Sequence, residues 1–121
     1  MSLTPEQTER VLALVADLAR DGETDELREF LARGIPVDLV DAEGNSLLML
    51  AAYHGRLETA RLLIESGADP DLCNGRNQSP IAGAIFKGER EVVTLLRDAG
   101  ANLDLGTPTG RQAAEMFGLE L

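Results

Sequence analysis

The chain has no tryptophan, one tyrosine, one histidine and one cysteine among its 121 residues, and three phenylalanines bring the aromatic share to only 3%. A core of large flat rings is therefore excluded. The interior has to be assembled from Leu, Ile, Val and Ala, which suits helices that approach closely over small side chains. The single cysteine, Cys73, excludes an intrachain disulfide. One His and one Cys are too few to build a zinc site. Basic residues are scarce as well: 11 Lys and Arg stand against 21 Asp and Glu, a net charge of -10. Phosphate neutralisation needs cations, so nucleic acid is not expected as a partner, nor is an anionic membrane surface. No apolar run approaches the roughly 20 residues that span a bilayer. The opening MSLTPEQTER has no basic stretch followed by an apolar one, so no secretory leader is expected. A reducing, cytoplasmic location and a single domain over 1–121 follow as expectations.

What recurs is more informative. Gly22, Gly55 and Gly88 stand 33 residues apart, as do Gly34, Gly67 and Gly100, and an Asp-Leu pair returns at 38–39, 71–72 and 104–105. Residues 41–73 and 74–106 align without a gap and share Ser46/Ser79, Ala51/Ala84, Gly55/Gly88, Leu62/Leu95, Leu63/Leu96 and Gly67/Gly100. One period back, 8–40 keeps the glycines and the apolar frame. One period forward, 107–121 sets Gly110 in the place of Gly44 and covers part of a unit. A fixed period of this length is the signature of stacked repeats.

Each unit reads as helix, turn, helix, loop. Thr4, Pro5 and Gln7 make a helix start with a capping box, followed by an apolar stripe of Val11, Leu12, Leu14, Val15, Leu18 and Ala19. Gly22 ends this helix in the left-handed conformation. The partner helix carries Leu27, Phe30 and Leu31 up to Gly34. Ser79-Pro80 is a second helix start, and the Asn, Asp, Gly and Pro of 67–78 mark a turn-rich loop. Gly83 falls inside a helix, where it costs on the order of 1 kcal/mol against Ala; either a neighbour packs closely there or the helix is weak. Asn77 replaces the turn glycine found at Gly44, and Asn tolerates a left-handed backbone next best. A lone helix pair cannot bury its apolar face, so the pairs must stack.

The stretch DAEGNSLLMLAAYHGRLETARLLIESGADPD resembles an ankyrin repeat through Asp41, Gly44, Ser46, Leu48, Ala51, Ala52, Gly55, Leu62, Leu63, Gly67, Ala68, Asp69 and Asp71. The following unit matches more loosely through Ser79, Pro80, Ile81, Ala84, Gly88, Leu95, Leu96, Gly100, Ala101 and Asn102. The resemblance covers nearly the whole chain, with diverged end units, and is to small stand-alone ankyrin-repeat proteins of bacterial type. It implies an all-α solenoid of stacked helix-turn-helix units joined by β-turn-type loops. Three full repeats at about 8–40, 41–73 and 74–106 would be followed by a truncated C-terminal one at 107–121. One departure is that Ser46-Leu47-Leu48-Met49 and Ser79-Pro80-Ile81-Ala82 lack the family's His, so its polar tie to the loop is not expected.

The resemblance also implies a non-enzymatic scaffold that grips an unidentified partner protein on a concave face. Its contact positions here are Ala42, Glu43, Asn45, Tyr53 and His54, then Gly75, Arg76, Gln78, Phe86 and Lys87, with Arg20 and Asp21 as counterparts in the first unit. The expected partner-binding set is Glu43, Asn45, Tyr53, His54, Arg76, Gln78, Phe86 and Lys87. Tyr53 and Phe86 share one repeat position. They either form an exposed anchor, of the kind that dominates interfaces, or fill gaps between helices; the hydroxyl favours exposure for Tyr53.

Catalytic chemistry is poorly supplied, and no catalytic residue, metal or cofactor is expected. His54 falls at the end of a first helix and Cys73 in a loop after a second, while a Cys-His nucleophile needs a third group and a pocket. Asp69 and Asp71 read as turn formers bonded to nearby backbone. Glu58 and Glu91 read as a solvated helix row. Gly100, Gly106 and Gly110 are too widely spaced for a phosphate loop. The net charge motivates an alternative, an acidic inhibitor or regulator of a basic partner; an enzyme is the remote reading. A monomer is expected, with Leu119 and Leu121 as the apolar end through which a second copy would pair.

Overall fold

A computed structural model describes residues 3–121; Met1 and Ser2, the start of the stretch read for a leader, lie outside it. Among the described residues seven helices follow in order: α1 (Pro5–Asp21), α2 (Thr24–Ala32), α3 (Leu47–Tyr53), α4 (Leu57–Glu65), α5 (Pro80–Phe86), α6 (Arg90–Asp98) and α7 (Gly110–Met116). Helices α1, α3, α5 and α7 pack side by side in one row, with α2, α4 and α6 in a second row behind them. This is the expected all-α stack.

The helix starts follow from local chemistry. The Thr4 hydroxyl accepts the Gln7 N–H at 3.1 Å, and the Gln7 side chain accepts the Thr4 N–H at 2.9 Å. Ser46 and Ser79 are buried caps, their hydroxyls accepting from Met49 N–H at 2.9 Å and Ala82 N–H at 3.2 Å. A buried cap satisfies a donor that water cannot reach. Helix α3 is enclosed all round: every side chain from Leu47 to Ala52 is buried, because α1 and α5 flank it and α4 backs it. Each such Leu contributes about 1.5–3 kcal/mol relative to exposure. Alanines at the contacts, among them Ala51, Ala60, Ala82 and Ala113, let the helices close up without aromatic filler.

Gly83 has its close neighbour. A Cβ placed there would lie 2.8 Å from Met49 Cε and 3.4 Å from Tyr53 Cδ1. The glycine serves the α3–α5 contact and is no mark of a weak helix.

Two expectations are corrected. Leu14, placed in the core stripe, is 47% exposed, while Ala16, left out of it, is buried. Helix α1 packs in its row against α3 alone, so a residue turned the other way has no cover among the described residues. The second correction is the register of the last unit. Gly44 and Asn77 sit in turns with φ of +80° and +58°, whereas Gly110 is the buried first residue of α7. The cap is Thr109, which makes a reciprocal box with Gln112 like that of Thr4 with Gln7. Gly118, 30 residues after Gly88, therefore matches the glycines that follow α3 and α5, so the loop before α7 is three residues shorter. Leu119 and Leu121 fold back on the core; the exposed apolar residues at this end are Met116 and Phe117.

Candidate functional site

The loop tips are built by one device used twice. The Asp41 carboxylate accepts the N–H groups of Glu43 and Asn45, both at 2.9 Å. The Asn74 amide oxygen accepts those of Arg76 and Gln78, both at 3.0 Å. Short polar side chains that bond their own backbone in this way close a turn. The tips are then zipped together. Gly75 N–H donates to the Glu43 carbonyl at 3.0 Å, and the Asn74 amide donates to Asn45 Oδ1 at 2.9 Å and to Gln78 Oε1 at 3.4 Å. Asn45 and Gln78 are both half-buried; Asn45 is engaged by the neighbouring unit and Gln78 by Asn74 of its own. Glu43 and Arg76 stand exposed at the tips, 4.0 Å apart, a pairing that at such exposure contributes little.

The inner-row helix ends supply the rest. Tyr53 ends α3 and His54 caps it; Phe86 and Lys87 do the same for α5, and Met116 and Phe117 for α7. Glu43, Asn45, Tyr53, His54, Arg76 and Gln78 line one hollow of about 260 Å³, with Met49 and Leu50 beneath. Phe86 and Lys87 open onto another, of about 320 Å³, with Phe117 and Leu119. The two aromatics therefore open onto different hollows. They are linked stepwise instead: Lys87 Nζ lies 5.1 Å from the Tyr53 ring centre, and Phe117 stands edge-on to Phe86 at 5.4 Å. In both cases the residue capping one helix covers the ring that ends the helix before it. Tyr53 and Phe86 are half-buried, each packed on one side and open on the other. Met116 and Phe117 are the members of this row absent from the expected set. The Thr109-x-x-Gln112 capping box is the signal that places them, because it sets the start of α7.

Burial, followed by the charges of Arg20, Arg56 and Lys87, holds the His54 imidazole below its ordinary pKa of 6.5; Asp21 opposes them. The ring is therefore mainly neutral at pH 7. A depressed folded-state pKa means that the unfolded chain binds the proton more readily. The stability contribution is thus full above pH 6.5 and is lost as pH falls through the folded value. An NMR titration of His54 should give a midpoint below 6.5, and Lys87→Gln should move it upward. A midpoint unmoved by that substitution would remove Lys87 from the electrostatics of the hollow.

Cys73 lies in the loop after α4 and does not line the His54 hollow. Its half-buried thiol donates to the Asp71 carbonyl at 3.7 Å, and burial, then Asp71 and Asp69, push its pKa up, away from a nucleophilic thiolate. The recurring aspartates also have a task that reaches beyond their own turns. Asp38 accepts the Asp69 N–H at 3.0 Å, and Asp71 accepts the Asn102 N–H at 2.7 Å, tying each unit to the next. Glu58 and Glu91 are exposed on α4 and α6.

A family model described as ankyrin repeats, three copies, matches residues 14–107. The chain belongs to the ankyrin-repeat family. It is similar to a Pseudomonas aeruginosa protein named as an ankyrin repeat protein, with 43% identity over 56 residues. The match takes in 46% of this chain and spans only 33% of that relative's length. Ankyrin repeats are, as a class, protein–protein interaction modules and typically non-catalytic. No helix of the described residues is long and apolar enough to cross a membrane.

Proposed function

We propose that this ankyrin-repeat chain is a non-catalytic scaffold that holds a partner protein on the face made by its loop tips and inner-row helix ends. In this reading the units at about 8–40, 41–73 and 74–106 and the partial one at 107–121 act as a single domain. It works as a monomer in a reducing, cytoplasmic setting, which suits the free thiol of Cys73. The observation that carries the reading is the row Tyr53, Phe86 and Met116. Three large side chains stand at equivalent helix ends, two of them half open and the third 65% exposed. Aromatic and other bulky side chains ringed by polar groups are what interface hot spots are made of.

The test is capture of partners from native lysate by the wild type and by Tyr53→Ala and Met116→Ala in parallel. Each variant is expected to weaken capture about tenfold or more. Met116→Ala should leave thermal unfolding unchanged because its side chain is already in water. Phe86→Ala is a poor probe here, since that ring packs on the core and on Phe117. Undiminished capture by both variants would move the docking surface off this face.

A further inference from the structure

Beside the hollow that holds Tyr53 and His54 lies another, of about 510 Å³, between α1 and the first loop tip. Its floor is apolar: Leu12, Ala13 and Ala16 from α1, and Ala42 from the tip. Its rim is acidic: Glu9 and Asp17 from α1, and Asp41 and Glu43 from the tip. Arg20 is the one cation in the lining, and it is hydrogen-bonded to Asp17. Positions 9, 12, 13, 16, 17 and 20 recur at helical spacing, so α1 carries a second stripe beside the one buried through Val15, Leu18 and Ala19. Three of the residues that line the hollow are alanines, Ala13, Ala16 and Ala42. One period on, the place of Ala16 is taken by Met49, and the corresponding hollow there is about 260 Å³.

We propose that this hollow seats an aliphatic side chain from a basic segment of a partner protein, with lysines or arginines on either side of it. The inference rests on the reading of this face as the docking surface. An apolar floor rejects a charged side chain, which would lose its water without gaining a partner. A rim of four carboxylates against one guanidinium, on a chain of net charge -10, selects cations beside the apolar residue and repels an acidic segment. Ala13 and Ala42 are exposed, so the floor is open to an incoming side chain. The volume lies within the range of about 300–1,000 Å³ usual for binding clefts.

The experiment titrates the full ¹⁵N-labelled chain with a synthetic peptide carrying one leucine between two pairs of lysines. Two control peptides replace the lysines by glutamates or the leucine by alanine. The lysine–leucine peptide is expected to shift the amide resonances of Ala13, Ala16 and Ala42, and both controls to leave them in place. Ala13→Trp, which fills the hollow, should abolish the shifts, and Glu9→Lys with Glu43→Lys should weaken binding at least tenfold. All three sites are exposed, and an otherwise unchanged spectrum reports an intact fold. Absence of shifts, shifts spread over the Glu58 and Glu91 row, or equal binding by the alanine peptide overturns the proposal. If these fail while Tyr53→Ala still loses the native partner, the docking face stands and the hollow is not part of it. If the lysine–leucine peptide binds in the hollow while Tyr53→Ala and Met116→Ala keep the native partner, the hollow stands and the helix-end row does not.

Discussion

Ile81→Ala should lower the unfolding free energy by about 4 kcal/mol, toward the upper end of what such truncations cost. Ile81 is fully buried on α5, the inner helix flanked by α3 on one side and α7 on the other. A Cβ placed on Gly110 would come within 3.0 Å of Ile81 Cγ2, so this methyl occupies space that Gly110 leaves free. The buried face of α7 carries only Gly110, Ala113 and Ala114. None of these has a side chain that can swing into the gap, so the cavity stays open and the cost is high. For a domain stable by about 5–15 kcal/mol this is a large loss. Stacked repeats hold mainly to their neighbours, so the damage should be local first. Amide exchange at Ala113 and Ala114 should accelerate well before that of α3. Chemical denaturation combined with hydrogen exchange checks both parts. A loss under about 1 kcal/mol would mean that α7 settles into the space and that small residues do not hold it open.

The same economy of small residues runs through the molecule and shapes the docking face. Ala51, Ala82 and Gly83 let α3 and α5 close up until Met49 and Tyr53 meet the α5 backbone. Tyr53 is thereby held on one side and presented on the other. Where the stack has Ala16 in the place of Met49, the hollow is larger, about 510 Å³ against about 260 Å³.

Much of this was legible in the residues. The 33-residue spacing of Gly22, Gly55 and Gly88, with the capping residues Thr4, Ser46 and Ser79, identifies the inner row of helices. The last unit was not, because a gapless period cannot register a loop shortened by three residues. Only the capping box of Thr109 and Gln112 reveals the shift, and with it the place of Met116 and Phe117. Among the contact candidates, repeat position predicts location on the face but not availability. Asn45 and Gln78 are engaged by Asn74, while Glu43 and Arg76 at neighbouring positions are free to meet solvent. The division of Tyr53 and Phe86 between two hollows depends on Lys87 and Phe117, which come from the following unit in each case. A pattern read within one repeat does not show what the next repeat lays over it.

Gly44→Val should cost roughly 2–4 kcal/mol and reduce partner capture further than that loss of stability alone explains. Gly44 has φ +80°, where a β-branched side chain meets its own backbone. A Cβ there would also lie 2.8 Å from the Gly75 nitrogen, a backbone atom that cannot rotate away. The next tip would have to retreat, and the Gly75 N–H bond to the Glu43 carbonyl would lengthen or break. That zipper sets the spacing of Glu43, Asn45 and Arg76 around the hollow, so the docking face should distort before the core does. Asn77 separates the two causes. It holds the matching place with φ +58° and donates to Thr107 Oγ1 at 3.0 Å, so a side chain is accepted there. Gly44→Asn keeps a residue tolerant of left-handed geometry but still adds the Cβ that meets Gly75. It should therefore cost more than Asn77→Gly, which loses one exposed hydrogen bond, about 0.5–1.5 kcal/mol. Denaturation midpoints for the three variants, with capture assays beside them, check the ranking. Wild-type stability in Gly44→Asn would show that the tips slide apart freely and that backbone conformation alone requires the glycine.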